Sequence, residues 1–350
     1  SAAENKDSVI GLSLRLAGGA ARIVCQGGVR RTNICAMQSK ATLVSADASW
    51  REPSSTVVGR GDARRGRWSL GPAVEALALP MPLYAAACAA LLQRAAARAA
   101  LDLQELLSMA LLTWSVYLLH AARRAPPTAQ LDPQQEHRRW AARRVGALWT
   151  LAVAAGFGAI LTLVQRKWWL GAFVPAGWLA VWLYSGPGVW RGRRIRETLW
   201  VKNLAVGGGL AAAAWTLTLV DVWDAGGGAR ALGGVTVGAA GLALLVASDA
   251  AVSDARDRRL DAREGASTVW LALTRAGACR AVLVGAGVGA ATLAWAWTVA
   301  GEAWWSAALW GGLAVVSTAA TCGAPAPKRR LWIELRMPLL AALAWTLAQG

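Results

Sequence analysis

The stretch AVLVGAGVGAATLAWAWTVA, residues 281–300, decides the fold class of this chain. It contains no charged side chain, and it is as long as the roughly 20 residues of helix that cross a hydrocarbon layer of roughly 30 Å. Within lipid every backbone amide needs a partner in its own segment, so a run of this kind forms an α-helix. A strand of a membrane β-barrel would alternate apolar and polar residues, and this stretch shows no such alternation.

Comparable apolar runs recur along the chain. Its 350 residues are 56% hydrophobic and its mean hydropathy is +0.37, which is too apolar for a soluble fold of ordinary surface area. The predicted spans are 73–93, 101–122, 145–165, 168–185, 203–223, 230–249, 279–300, 303–323 and 331–349. We therefore predict an all-α, polytopic transmembrane helical bundle of about nine helices over residues 67–350, lying in a lipid bilayer. Residues 1–66 are polar and poorly patterned, and for them we predict a disordered or artefactual extension.

The positions of the basic residues predict how the bundle is oriented. The formal net charge is +17, and the excess lies in the N-terminal flank and in the even-numbered loops. These basic segments are 60–67, 123–144, 191–202, 256–280 and 328–330. Because basic loops stay on the cytoplasmic side of a membrane, we expect the N-terminus and the even-numbered loops to be cytoplasmic. The same residues form no single patch on a polar domain, which argues against nucleic acid as a partner.

One loop differs from the others in holding regularly spaced acidic residues. The segment SDARDRRLDAREGAST, residues 253–268, contains Asp254, Asp257 and Asp261. On a helix that extends from the membrane, spacings of three and four residues place these carboxylates on one face. Clustered carboxylates repel one another unless a cation holds them, and oxygen ligands of this kind suit Mg²⁺. Nearby arginines, Arg256 among them, are suited to binding phosphate oxygens. The alternative is a solvated, salt-bridged turn that binds no metal.

This segment resembles the second aspartate-rich motif of the UbiA superfamily of intramembrane prenyltransferases. That motif runs Asp, any two residues, Asp, any three, Asp, then basic residues, a Gly, a Thr and an apolar residue. Here the positions after the three aspartates are Gly265, Thr268 and Val269, without a gap. The resemblance implies that Asp254, Asp257 and Asp261 bind Mg²⁺ and are catalytic. It further implies a membrane enzyme that moves a prenyl group from a prenyl diphosphate to an aromatic or other lipophilic acceptor.

A second segment is similar to the same family. In LYSGPGVWRGRRIRETLWVKNLAVG, residues 183–207, a Tyr ends one helix, a basic loop follows and a Lys-Asn pair opens the next helix. The resemblance assigns diphosphate and substrate contacts to Tyr184, Lys202 and Asn203. The family's Tyr-x-x-x-Lys form is not kept, and Arg191 is the nearest basic substitute. Tyr117, near the end of the second span, is a further expected substrate contact.

The first aspartate motif of the family is missing. Its usual form is Asn-Asp-x-x-Asp-x-x-x-Asp at the end of the second helix, and His120 stands where its first aspartate is expected. The next carboxylates, Asp132 and Glu136, do not have the family's spacing. Loss of one preorganised charge-stabilising group costs roughly 10²–10³ in rate, so the departure predicts a slow or inactive enzyme.

Three functions therefore remain open from the sequence. The first is a Mg²⁺-dependent membrane prenyltransferase. The second is a catalytically degenerate protein of the same fold that binds a lipid or a protein partner. The third is a transporter, for which charged or broken helices are expected near the membrane midplane; the Gly-rich stretch 205–215 carries no ionisable residue.

Overall fold

The long apolar stretches of the chain are α-helices in the computed structural model. The residues it describes are 13–16, 19–22, 70–97, 100–125, 136–185, 201–264, 267–324 and 326–348. Their helices are α1 (Leu70–Ala76), α2 (Pro80–Ala95), α3 (Leu103–Arg124), α4 (Glu136–Arg143), α5 (Val145–Val164), α6 (Phe173–Ser185), α7 (Val201–Asp224), α8 (Ala229–Glu264), α9 (Val269–Ala272), α10 (Arg275–Ala300), α11 (Trp304–Gly323) and α12 (Ala326–Leu347). A short 3₁₀ helix, Trp168–Ala172, precedes α6.

The prediction of an all-α multi-pass membrane bundle is confirmed. Among the described residues, six helices are long and apolar enough to cross a bilayer: α3, α5, α7, α10, α11 and the Ala229–Ala255 part of α8. The predicted first, fourth and ninth spans correspond to α2, to the 3₁₀ helix with α6, and to α12. The chain is therefore an integral membrane protein with several spans.

The first predicted span, 73–93, is wrong as a single helix. The chain leaves the helical path between α1 and α2, where Ala78 has a φ of +49°. Pro80 follows at the first position of α2. Proline has no backbone N–H and is favoured at the start of a helix, so the helix restarts there instead of continuing.

The packing of α7, α8 and α10 depends on glycines at their crossings. A Cβ atom at Gly241 of α8 would lie 2.7 Å from the carbonyl oxygen of Gly289 of α10. A Cβ atom at Gly207 of α7 would lie 2.3 Å from the carbonyl oxygen of Ala243. No side chain fits at these distances, so the small residues let the helix backbones approach closely. The α7–α8 crossing places the first turn of α7 beside the last turns of α8.

The N-terminal part forms a separate compact unit, Ser1–Thr56, and the helices belong to the unit Val57–Gly350. Within the first unit the structure describes an antiparallel hairpin of β1 (Ser13–Leu16) and β2 (Gly19–Arg22). Its register pairs Ser13 with Arg22 and Leu16 with Gly19. The boundary predicted between residues 66 and 67 lies outside the described residues.

Candidate functional site

The cytoplasm-facing end predicted for α8 carries two aspartates of the second motif. The helix continues past the predicted end of its span at residue 249 and reaches Glu264 without a break. Asp254 and Asp261 lie two turns apart on one face. As whole residues they are 5% and 6% exposed, which is unusual for aspartates. The predicted solvated turn is therefore not what these two residues form.

Lys202 of α7 lies between the two carboxylates. Its Nζ atom is 2.5 Å from Oδ1 of Asp254 and 3.5 Å from Oδ2 of Asp261. Asn203, which is buried, lies within hydrogen-bonding reach of Asp254. Both residues belong to the first turn of α7, where the unpaired backbone N–H groups carry partial positive charge and favour nearby anions. The Lys-Asn pair and two aspartates of the acidic motif form one cluster.

Several buried oxygen atoms near this end of α8 have no hydrogen-bond partner. They are Oδ2 of Asp254, Oδ1 of Asn203 and Oγ1 of Thr268. A buried polar atom without a partner is rare in folded proteins and is able to accept a bond from a ligand, ion or water. Carboxylate, amide and hydroxyl oxygens are the ligand types that hard cations such as Mg²⁺ take. The donor types thus fit Mg²⁺, and Lys202 already provides one positive charge beside them.

The chain returns to the membrane through a segment fixed against α8. The indole Nε1 of Trp270 donates a hydrogen bond of 2.5 Å to the carbonyl oxygen of Ala251. The Nε of Arg258 donates one of 2.9 Å to the carbonyl oxygen of Trp270. These bonds hold Thr268, at the start of α9, close to the last turns of α8. Arg256 and Asp257 lie on the same helix, but their side chains are outside the described part.

Tyr184 and His120 extend the cluster towards α3. Tyr184, at the end of α6, is close enough to Lys202 for an electrostatic interaction. Its ring lies 5.8 Å from the ring of His120, centroid to centroid. The position of the missing first aspartate therefore faces the same region as the second motif. Tyr117 lies one turn before His120 on α3.

Other predicted participants lie outside the described residues. Arg191 and Asp132 belong to segments that the structure does not describe, as does the side chain of Glu136. Their assignment remains a prediction.

A buried charge network, which the sequence reasoning missed, lies deeper along α8. Arg336 of α12 pairs with Asp249, and both are less than 5% exposed. Tyr84 of α2 donates a hydrogen bond of 2.7 Å to the other oxygen of Asp249. Arg336 also donates to Thr318 of α11. The sequence did offer a signal for this network, because Asp249 and Arg336 are single ionisable residues within or beside apolar runs. Such residues pair with one another in membranes.

A second group of carboxylates lies at the opposite end of the bundle. Atoms of Asp102, Glu105 and Asp221 approach within 4.8 Å of one another, a spacing that suits a metal ion. Arg166 pairs with both aspartates and so supplies a positive charge to the group. Burial lowers the pKa of Arg166, but the hydrogen bonds and charges of the aspartates outweigh it and raise the pKa overall.

This second group is distinct from the predicted Mg²⁺ site. Lys202 and Asp221 lie at opposite ends of α7, and a rise of 1.5 Å per residue puts their Cα atoms about 28 Å apart. The sequence reasoning missed the group because Asp221 is far in the chain from Asp102 and Glu105.

Comparison with known proteins shows which fold the bundle has. No protein-family model matches the chain, and no curated protein matches it. Among solved structures, the apo structure of a UbiA homolog from Aeropyrum pernix K1 is similar, with a TM-score of 0.58 and 15% sequence identity. The similarity covers 77% of this chain and 98% of that one. The bundle therefore has a UbiA-like fold, as the sequence resemblance implied.

Proposed function

We propose that this protein is a UbiA-type membrane prenyltransferase. It binds a prenyl diphosphate with Mg²⁺ at Asp254, Asp257 and Asp261 and passes the prenyl group to an aromatic or other lipophilic acceptor. The observation that carries the proposal is the cluster of Lys202, Asn203, Asp254 and Asp261. These residues converge, with unpartnered buried oxygens, in a fold similar to that of a UbiA homolog.

Each residue of the cluster has a role that follows from its chemistry. Bound Mg²⁺ would neutralise the negative charge that develops on the departing diphosphate. Lys202 supplies a flexible positive charge to diphosphate oxygens, and Arg191 and Arg256 add further basic groups. Tyr184, Tyr117 and Asn203 orient the substrates. The surrounding helices exclude water, which would otherwise react with an allylic cation.

A second candidate is a non-catalytic binder of the same fold. His120 favours it, because this residue stands near Tyr184 where the family's first aspartate is expected. A neutral imidazole is a poor ligand for Mg²⁺. In this alternative the second motif still holds a diphosphate or lipid headgroup, and no transfer follows.

Binding of labelled farnesyl diphosphate to the full chain in lipid nanodiscs tests the proposal. We expect binding that requires Mg²⁺ and that weakens roughly tenfold to hundredfold in Asp261→Asn, as expected for the loss of a charge-assisted contact. Asp224→Asn is the matched control, because Asp224 pairs with Lys167 at the opposite end of α7. Binding that is independent of Mg²⁺, or equal losses in both variants, would contradict the proposal.

Turnover separates the enzyme from the binder. Release of diphosphate in the presence of an aromatic acceptor, with formation of the prenylated product, supports the transferase. Mg²⁺-dependent binding without product over a range of acceptors supports the degenerate binder.

A further inference from the structure

The ammonium group of Lys202 lies where a cation shared by the two aspartates would lie. It is 2.5 Å from Asp254 and 3.5 Å from Asp261. We propose that Lys202 is a built-in counter-ion that competes with the divalent metal for these carboxylates. It balances part of their negative charge in the ligand-free protein and moves to the diphosphate when metal and diphosphate bind together. The proposal concerns regulation of the site named above and rests on that proposed function.

Electrostatics explain why a counter-ion is needed. Asp254 and Asp261 are nearly fully buried and share one helix face, so their negative charges repel each other in a medium of low polarity. A carboxylate without a partner is costly to bury. The ammonium of Lys202 relieves this cost before any metal arrives.

The side chain of Lys202 is suited to leaving this position. A lysine carries a compact charge on four rotatable methylenes and needs no fixed planar geometry, unlike arginine. The Lys202 side chain is 20% exposed, whereas that of Asp254 is 7% exposed. The ammonium can therefore reorient without unfolding of the helix ends that hold it.

Lys202 does not satisfy the whole site. Oδ2 of Asp254 and Oδ1 of Asn203 have no hydrogen-bond partner while the ammonium is in place. A divalent ion has more coordination positions than one ammonium has directions. These oxygens therefore favour binding of the metal, and the charge of Lys202 opposes it. A diphosphate that attracts Lys202 away from the carboxylates strengthens metal binding. Because coupling between ligands is reciprocal, each should strengthen the binding of the other.

Mn²⁺ binding, followed by electron paramagnetic resonance on the full chain in nanodiscs, measures the competition. Without diphosphate, Lys202→Met should bind Mn²⁺ at least about tenfold more tightly than the original protein, because a competing charge is gone. With Mg²⁺ present, the same variant should bind farnesyl diphosphate more weakly. Lys167→Met is the control, since Lys167 makes a more exposed ion pair with Asp224 at the other end of the bundle. It should change neither affinity.

The Mn²⁺ measurement tests the counter-ion role, and the diphosphate measurement tests the proposed function, so the two can fail independently. Mn²⁺ affinity that is unchanged or lower in Lys202→Met overturns the counter-ion role, whatever happens to diphosphate. A gain in Mn²⁺ affinity without any diphosphate binding supports the counter-ion role and overturns the proposed substrate. If Lys202→Met does not fold, Lys202→Gln provides the same comparison, with the same expected gain.

Discussion

At the scale of single residues, the site depends on how charges are balanced. Asp254 and Asp261 are balanced in part by Lys202, whereas His120 brings no negative charge to the opposing helix. The ring of His120 nevertheless lies near that of Tyr184, which in turn is near Lys202. A carboxylate at position 120 would therefore face the region in which we place the diphosphate and its metal.

Rebuilding the first motif tests this view of His120. The double variant His120→Asp/Arg123→Asp restores two aspartates at the family spacing. We expect prenyl transfer to rise by about tenfold or more, because a preorganised charge-stabilising group is worth roughly 10²–10³ in rate. The measurement is product formation from farnesyl diphosphate at saturating Mg²⁺. His120→Asn/Arg123→Asn adds no charge and is the control; an equal rise in both would point to size or polarity instead of metal binding.

The residues of the site were predictable to different degrees. Spacing within 254–261 is local, so the shared face of Asp254 and Asp261 follows from the period of a helix. Their pairing with Lys202 joins two helices, and nothing in the local pattern specifies which residues of two helices meet. The sequence resemblance supplied that association. Asp249 and Arg336 were missed for the same reason, since each looked like an isolated charge until α8 and α12 were packed together.

At the scale of elements, α8 holds two polar groups that face different neighbours. Asp254 faces α7 through Lys202, while Asp249, five residues earlier, faces α2 and α12 through Tyr84 and Arg336. Partners on both sides fix the rotation of α8 about its axis. The inner network thereby determines the direction in which the acidic motif points.

Breaking the inner network should destabilise the bundle. Arg336→Met leaves Asp249 buried without its positive partner, and loss of one member of a buried ion pair costs about 3–5 kcal/mol. We expect a lower unfolding temperature in detergent. The double variant Asp249→Asn/Arg336→Met removes both charges and keeps a group that can accept from Tyr84, so it should recover most of the loss. A double variant as unstable as the single one would show that the charges are not the cause.

At the scale of the whole molecule, the bundle has two chemically different ends. One end holds Lys202, Asp254 and Asp261, and the other holds the group formed by Asp102, Glu105, Asp221 and Arg166. The apolar runs predicted the helices that separate these ends because the length of a membrane helix follows from the bilayer thickness. They did not predict the break before Pro80, which lies near the start of a span, where hydropathy changes gradually. The extension of α8 beyond its apolar run was expected from the spacing of the aspartates instead.

The orientation of the bundle in the membrane determines which aqueous compartment each of its two ends faces. The basic even-numbered loops predict that the Lys202 end is cytoplasmic, so that a charged diphosphate would reach the site from that side. Single cysteines introduced into a chain whose native cysteines are replaced by serine test this prediction. Arg143→Cys lies in the second loop, at the end of α4, and Asp224→Cys lies at the end of α7; both positions are exposed.

We expect a membrane-impermeant maleimide to label Asp224→Cys in intact cells and Arg143→Cys only after permeabilisation. The physical reason is that basic loops are held on the cytoplasmic side during insertion, while the opposite loops, with few basic residues, cross. The two positions control for each other, since both are exposed helix ends and only their side of the bilayer differs. The reverse labelling pattern would place the acidic motif outside the cytoplasm, and a cytoplasmic prenyl diphosphate could then no longer be its substrate.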